Sequence, residues 1–251
     1  MFLKVPIDIV PPEELPNVFS QMLASVGAAE NPCNPSLDKG QNIVLLSLAD
    51  LLRARRKGEY RNYVMRAALV IPISKSIISG AKFLTGKQVF RYMPFHFVIT
   101  LLSLLEKENH SLYLIGDGNK SLKKAEKNIN ITFPQLGIVG RREGALRKQE
   151  EPVVIEAIRK AAPSLLLAGK GIRKEELWIA KNAGRFNSGL RLWCSDLFDV
   201  FAKKKQRPSD KTFEKGLEGL FYWLRNPLRV FRIFSYLRYN LLLLIYKIFK
   251  K

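Results

Sequence analysis

From about residue 112 onward, short apolar runs alternate with longer segments whose apolar residues recur at helical spacing. Each apolar run has the length of a strand, and most of the runs contain no charged residue, which is typical of strands buried on both faces. The predicted strands are Leu112–Ile115, Leu136–Val139, Leu165–Ala168 and Leu190–Cys194, and the predicted helices are Ser121–Asn130, Pro152–Ala162 and one that begins near Lys174. The pattern predicts an α/β protein with a Rossmann-like, mostly parallel sheet and helices on both faces.

The N-terminal half shows the same alternation less regularly. A loop rich in Asn and Pro, Ala28–Gln41, interrupts it. The predicted strands of this half are Phe2–Ile9, Ile43–Leu46, Ala67–Ile71 and Gln88–Tyr92, and the predicted helices are Pro11–Leu23, Ala49–Arg56 and Phe95–Lys107.

The alternation stops after Asp199, which divides the chain into a predicted α/β domain, residues 1–200, and a helical appendage, residues 201–251. Asn226-Pro227 precedes a long final helix. At 100° per residue its basic residues fall on one side and its apolar residues on the other. The apolar side holds Val230, Phe234, Leu237, Leu241, Leu244, Ile245 and Ile248. This is the pattern of a basic amphipathic helix.

The apolar run Leu241–Ile245 is too short to cross a bilayer, which takes about 20 residues. We therefore expect the helix to lie in the interface of an anionic membrane, with its Lys and Arg side chains at the headgroups. The alternative is that its apolar stripe packs against the core or against a partner subunit of a homo-oligomer.

Charge and composition narrow the classes of partner. The formal net charge of 251 residues is +20, and the last fifth of the chain holds half of it. This excess of positive charge predicts an acidic partner, which is a nucleic acid, an anionic membrane surface or a phosphorylated substrate. With two cysteines, Cys33 and Cys194, and two histidines, neither a disulfide framework nor a zinc site is indicated. The N-terminus lacks a signal-peptide pattern, so we expect a cytoplasmic protein.

A Gly-x-Gly turn links the strand Leu165–Ala168 to the following helix and ends at Gly171. Unpaired N–H groups at a helix start favour an anion, so the turn suits a phosphate or diphosphate group. An ordinary strand-to-helix turn is the other interpretation of the same pattern.

With these residues in view, the second half of the chain resembles the WecG/TagA/CpsF group of bacterial glycosyltransferases, glycosyltransferase family 26. The resemblance covers about Leu112–Arg232 and rests on several ordered motifs. These are Gly116-Asp117-Gly118, Pro134–Gly140, Gly171-Ile172-Arg173-Lys174-Glu175-Glu176-Leu177-Trp178, Leu197-Phe198-Asp199-Val200, Arg207-Pro208, Trp223-Leu224-Arg225 and Pro227-Leu228-Arg229.

This resemblance implies transfer of an N-acetylmannosamine-type sugar from a UDP donor to a polyprenyl-diphosphate-linked acceptor, at the inner face of the cell membrane. It implies biosynthesis of a cell-surface polysaccharide or a teichoic-acid-type polymer. We expect neither a cofactor nor a metal, because a diphosphate leaving group stabilised by arginines needs no metal ion and the sequence shows no clustered pair of carboxylates that would bind one. The residues expected around the donor diphosphate are Gly116, Gly118, Gly171, Lys174, Glu175 and Glu176. The other residues expected to bind substrates are Arg91, Asp199, Arg207, Arg225, Arg229 and Arg232, because guanidinium groups match paired phosphate oxygens.

The sequence departs from the family pattern where the family carries its proposed general base, an Asp in a Pro-Asp-Gly turn. The matching position is Ile73, which cannot accept a proton. His96 and Asp117 are the candidate substitutes, and His96 itself stands where the family has an Asp. A non-catalytic paralogue that binds nucleotide, lipid or a partner enzyme is the alternative. A nucleic-acid binder is not expected, because no helix-turn-helix, RRM or zinc signature is present.

Overall fold

The computed structural model of the chain describes residues 1–27, 41–216 and 232–249. The strands within these ranges are β1 (Gln41–Leu46), β2 (Leu69–Pro72), β3 (Ser111–Ile115), β4 (Gly137–Arg142), β5 (Leu165–Ala168) and β6 (Leu190–Trp193). The α-helices are α1 (Leu15–Gly27), α2 (Leu48–Ala54), α3 (Glu59–Met65), α4 (Lys75–Thr85), α5 (Pro94–Lys107), α6 (Asn119–Thr132), α7 (Glu151–Ala161), α8 (Glu176–Asn182), α9 (Leu197–Phe201), α10 (Asp210–Glu214) and α11 (Arg232–Phe249). A 3₁₀ turn, Ala183–Arg185, follows α8 directly.

The strands form one sheet in the order β2-β1-β6-β5-β3-β4, and every neighbouring pair is parallel. β6 is the last of these strands in the sequence, but it lies in the middle of the sheet, between β1 and β5. All residues of β5 are completely buried, as an uninterrupted apolar strand requires. The predicted α/β class, with a Rossmann-like parallel sheet, is confirmed.

Helices cover both faces of the sheet because successive strand residues direct their side chains to opposite faces. On one face, Ile43, Leu114 and Leu167 pack with α1, α5, α6 and α9. On the other face, Val44 packs with α2, α3, α4 and α11, while Leu166 packs with α7 and α8. Apolar cores therefore lie on both sides of the sheet, as one cluster on the first face and two clusters on the second.

Two strand predictions in the N-terminal half are wrong. Phe2 and Val5 bond to each other across a tight turn, with N···O distances of 2.8 and 2.9 Å, so the chain reverses where the strand Phe2–Ile9 was expected. The segment Gln88–Tyr92 does not join the sheet. Its apolar residues are buried by side-chain packing instead, and Tyr92 Oη donates to the carbonyl of Val10 at 2.7 Å. Burial alone thus produced a strand-like pattern.

Helices α3 and α4 were not predicted. In α3 the buried residues Tyr60, Tyr63 and Val64 do recur at helical spacing, but charged and polar residues separate them. In α4 the buried face is Ile77, Gly80 and Ala81, and its small residues give little hydrophobic signal.

A segment that we call the edge segment, residues 203–216, runs across the carboxyl edge of the sheet. Lys204 Nζ donates to Ser121 Oγ in the first turn of α6 at 2.5 Å, and Lys205 pairs with Asp196. Farther along, the carbonyl of Lys215 accepts from Lys75 Nζ, at the first residue of α4, at 2.9 Å. The edge segment therefore connects loops that follow different strands.

The final helix α11 packs against α4 and α2 through a narrow side. Tyr239 and Leu243 are buried there, and Tyr239 Oη donates to the carbonyl of Ser76 at 2.7 Å. The predicted apolar stripe lies on the other side and is exposed at Phe234, Leu237, Leu241, Leu244, Ile245 and Ile248. Within the described ranges, no helix is both long enough and apolar enough to span a bilayer. The described residues of the monomer thus leave the stripe uncovered.

Candidate functional site

Three charged side chains meet at the carboxyl edge of the sheet. Asp117 follows β3, Lys170 follows β5, and Asp199 lies in α9. Lys170 Nζ forms an ion pair with Asp199 Oδ2 and lies 3.5 Å from Asp117 Oδ1. The Asp117 side chain is 3% exposed and that of Lys170 is 41% exposed, so the cluster reaches from the interior to solvent.

The Lys170 ammonium group lies between the two carboxylates, and the pKa values of Asp117 and Lys170 are shifted by this arrangement. Burial raises the pKa of Asp117, Lys170 opposes the rise, and the negative charge of Asp199 adds to it. Burial by itself would lower the pKa of Lys170, but its bond to Asp199 and the charge of Asp117 outweigh that effect and raise it. Asp117 Oδ2 is buried without a hydrogen-bond partner among the described residues. Asp117 therefore has one acceptor oxygen whose hydrogen-bonding capacity the described residues leave unused.

Close backbone approach at this edge requires glycine. Gly116 has φ of +133°, and a Cβ added to it would lie 2.7 Å from the backbone nitrogen of Gly169. A Cβ at Gly144 would lie 2.9 Å from the carbonyl oxygen of Lys170. Asp117 N donates to that same carbonyl at 2.6 Å. The loops after β3, β4 and β5 thus form one compact surface around Asp117.

The predicted phosphate-binding residues divide into two groups. Gly116 and Gly171 lie in this compact surface, and Gly118 caps α6 beside it with open space around its Cα. Lys174 and Glu175 are exposed, and both have left-handed backbones, with φ of 64° and 47°. Lys174 lines a separate pocket between α7 and α8, and Glu175 is its neighbour in the chain.

Glu176 is buried and faces α2. Its Oε1 accepts from Arg53 Nη1 at 2.5 Å, and the Arg53 guanidinium lies 4.0 Å from the centre of the Tyr60 ring. Burial raises the pKa of Glu176, and Arg53 limits the rise. The structure therefore gives Glu176 a role in joining α8 to α2 and does not bring it to the Asp117 cluster.

His96 lies in the first turn of α5 and contacts the edge segment. Arg207 Nη1 donates to His96 Nε2 at 2.5 Å, and Asp210 Oδ1 lies 3.4 Å from the same guanidinium. The Arg207 guanidinium also lies 5.3 Å from the centre of the Phe95 ring. Because arginine can only donate, the lone pair that His96 would use as a base is occupied in this arrangement. Its catalytic role stays a prediction.

Ile73 follows β2 at the same edge, and its carbonyl accepts from Arg91 Nε at 2.8 Å. Arg91 Nη1 also donates to the carbonyl of Phe213 at 2.5 Å, and the Arg91 guanidinium lies 3.7 Å from the centre of the Phe213 side-chain ring. Arg91 thus holds the edge segment against the loop after β2. The predicted arginines 225 and 229 lie outside the described residues, as does the side chain of Arg232.

Sequence reasoning missed two charged residues of this edge. Lys170 is the middle residue of the Gly-x-Gly turn, and nothing in that motif indicates its pairing with a carboxylate on another element. Asp50 accepts from the backbone and hydroxyl of Ser47 at the start of α2. The capping-box pattern Ser-x-x-Asp would have located it.

Comparison of the sequence with known proteins identifies the family of the chain. The family model for the glycosyl transferase WecG/TagA/CpsF family matches residues 2–251. The chain is 21% identical over 202 residues to an N-acetylglucosaminyldiphosphoundecaprenol N-acetyl-beta-D-mannosaminyltransferase of Bacillus spizizenii, covering 80% of this chain and 78% of the relative. A protein of the same description from Staphylococcus aureus is 20% identical over 176 residues, which are 70% of this chain and 68% of the relative. The chain therefore belongs to the WecG/TagA/CpsF family of glycosyl transferases.

Proposed function

We propose that the protein transfers an N-acetylmannosamine-type sugar from a UDP donor to a polyprenyl-diphosphate-linked acceptor, for a cell-surface polysaccharide or a teichoic-acid-type polymer. The observation that carries the proposal is the cluster of Asp117, Lys170 and Asp199 at the carboxyl edge of the sheet. Open parallel sheets bind their ligands at this edge. The relatives' activity supplies the sugar and the acceptor class.

The donor diphosphate would lie over the loops that contain Gly116, Gly118 and Gly171, where glycine leaves the backbone open to a ligand. Transfer of the sugar leaves a negative charge on the departing UDP, so a cation must face it. Lys170 is half exposed beside these loops and is held by Asp199. It would supply that positive charge without a metal ion.

Asp117 is the better placed of the two candidate bases. A carboxylate with a raised pKa accepts a proton more readily than an ordinary aspartate, and Asp117 Oδ2 has no described partner to compete for that proton. His96 would first have to lose its hydrogen bond from Arg207. Asp117 would therefore take the proton from the acceptor hydroxyl.

Helix α11 would hold the protein on the inner face of the membrane, where the lipid-linked acceptor lies. Its exposed apolar stripe has the composition of an interfacial helix, and Arg238 and Lys247 flank it with positive charge. Arg207 and the arginines at 225, 229 and 232 would then neutralise acceptor or donor phosphates.

The test is UDP release by the full chain from UDP-N-acetylmannosamine and a short-chain lipid diphosphate that carries N-acetylglucosamine. We expect turnover by the unaltered protein and a loss of about 100-fold or more in kcat for Lys170→Met. Lys160→Met, on the exposed side of α7, is the matched control and should retain full activity. Turnover that is equal in both variants would remove Lys170 from the reaction.

A non-catalytic paralogue is the second candidate, favoured by Ile73 at the carboxyl end of β2 and by the occupied lone pair of His96. It predicts that UDP binds to the protein, measured by calorimetry, while no UDP is released from the donor with any lipid-linked acceptor. Asp117→Asn would then leave binding and the absent turnover unchanged.

A further inference from the structure

The solvent side of α6 carries four lysines, Lys120, Lys123, Lys124 and Lys127, and all four are exposed. They are three or four residues apart, so at 100° per residue they lie within a sector of about 100° around the helix. We call these four residues the lysine face of α6. It is about 10 Å long, because a helix rises about 1.5 Å per residue. Ile131, one turn farther along the same side, is 68% exposed.

The lysine face has no counter-charge in the described part of the chain. Within residues 1–27, 41–216 and 232–249, none of its four lysines forms an ion pair. The one carboxylate of α6, that of Glu126, pairs with Arg141 of β4. The surface of α6 therefore carries four positive charges that the described fold does not neutralise.

The position of these charges destabilises the helix that carries them. Like charges three or four residues apart repel each other along a helix. Lys120 and Lys123 lie near the N-terminus of α6, where the helix dipole is positive, and the first turn contains no acidic residue. The last turn, where lysine would stabilise the helix, contains no basic residue. An arrangement that destabilises its own helix without a gain elsewhere in the fold is typical of a functional surface.

Helix α6 is firmly attached to the body of the protein on its other side. Leu122, Ala125 and Ile129 are buried in the core, and Asn128 Nδ2 donates to the carbonyl of Phe201 at 2.6 Å. The sheet lies between α6 and α11, which pack on opposite faces of it. A membrane that contacts the exposed side of α11 would therefore lie on the far side of the sheet from the lysine face. Membrane lipids bound by α11 would not neutralise these lysines.

We propose that the lysine face is a docking surface for an acidic helix of another protein. Carboxylates three and four residues apart on that helix would match lysines at the same spacing, and an apolar residue would cover Ile131. A second copy of this chain does not fit, because its net charge is also +20 and two paired α6 helices would place lysine opposite lysine. Gly118 caps α6 beside Asp117, so the docked protein would lie next to the candidate site. The proposal does not depend on which reaction occurs there.

The experiment is fluorescence anisotropy of the full-length protein with a labelled helical peptide that carries Glu at the spacing of the four lysines and Leu one turn farther along. A peptide of the same composition in another order is the control and should bind more weakly. Lys123→Gln combined with Lys127→Gln should weaken binding of the patterned peptide by about fivefold or more. Lys82→Gln combined with Lys87→Gln removes the same charge on the other face of the sheet and should change binding less than about twofold.

Two further measurements separate the lysine face from misfolding and from the net charge of the protein. Lys and Gln have similar helix propensities, so the α6 pair should have a higher melting temperature than the unaltered protein, because repulsion is removed. A variant with Glu in place of all four lysines should bind a peptide with Lys in place of Glu more tightly than it binds the acidic peptide. A preference for the acidic peptide in that variant would show that net charge alone governs binding, and would overturn the proposal.

Anionic vesicles and a DNA oligonucleotide are the competing ligands, tested with the same two pairs of substitutions. The α6 pair should change binding to phosphatidylglycerol vesicles and to DNA no more than the control pair does. If it weakens either as strongly as it weakens binding of the peptide, the lysine face belongs to a membrane or to a nucleic acid. Equal effects of both pairs on the peptide would also overturn the proposal. Full UDP release by the α6 pair, with peptide binding lost, would separate docking from the proposed reaction.

Discussion

Replacing Gly80 with alanine should loosen α11 from the body of the protein. A Cβ at this position would lie 2.0 Å from Tyr239 Oη, 3.0 Å from Cζ of the same ring and 3.1 Å from Leu243 Cδ1. These atoms belong to the buried side of α11, and Tyr239 is 1% exposed. The ring cannot retreat without breaking its hydrogen bond to the carbonyl of Ser76. The methyl group must therefore push the two helices apart.

The expected magnitude follows from opposing contributions. Alanine is better than glycine inside a helix by about 1 kcal/mol, which alone would stabilise α4. Overpacking costs about 1–3 kcal/mol, and loss of the Tyr239 hydrogen bond costs about 1 kcal/mol more. We expect a net loss of about 2 kcal/mol, confined largely to the attachment of α11. The sign is thus opposite to that of an ordinary glycine-to-alanine change in a helix.

Hydrogen exchange measured by mass spectrometry would show this, as faster exchange in residues 232–249 of Gly80→Ala than in the unaltered protein. Gly184→Ala is the matched control, because no atom lies within 4 Å of its added Cβ. Adding Tyr239→Phe to Gly80→Ala removes the closest atom and should restore part of the protection. A Gly80→Ala protein with a higher melting temperature and unchanged exchange in α11 would refute the packing described here.

Three further predictions concern the site and the membrane. Asp117→Asn should fold normally and lower kcat for UDP release by about 100-fold or more. The control Glu156→Gln, on the exposed side of α7, should keep the kcat of the unaltered protein. Equal kcat values for the two variants would exclude Asp117 as the base. Burial raises the pKa of Glu176, so ionisation of this side chain lowers the free energy of unfolding as pH rises through the ordinary pKa range of glutamate. Glu176→Gln has no group to ionise at this position. Its melting temperature minus that of the unaltered protein should therefore be larger at pH 7 than at pH 4. Leu237→Gln combined with Leu244→Gln should reduce the fraction of protein that sediments with anionic vesicles. The melting temperature should not change, because both side chains are exposed. Undiminished sedimentation would show that α11 does not contact the membrane.

The second half of the fold was predictable because its strands contain short apolar runs between polar turns, although Arg191 lies within β6 and two arginines end β4. Leu165–Ala168 was assigned without error, and the neighbouring strands differ only at their ends. The apolar run of β5 reports burial on both faces, whereas β4 at the edge of the sheet is only partly buried. In the N-terminal half, Phe2 and Tyr92 are buried by tertiary packing outside the sheet, so their apolar character carried no information on backbone pairing.

The site was predictable only where a motif fixes the backbone. Gly116 and Gly171 lie together because their strands are close neighbours in a parallel sheet. The partners of charged side chains were not predictable, because Lys170 with Asp199 and Arg53 with Glu176 join elements whose closeness depends on the fold. Sequence spacing within one helix cannot report such pairs.

The position of β6 has a consequence for how the chain is assembled. Until Leu190–Trp193 is in place, β1 and β5 each present an open edge, and the β1–β2 pair has no strand that joins it to β5, β3 and β4. During synthesis the two parts of the sheet can form early, but they become one only when nearly four fifths of the chain has emerged. A chain cut just before Leu190 should accumulate as an aggregation-prone intermediate with two unpaired edges, even though all but one of its described strands are present.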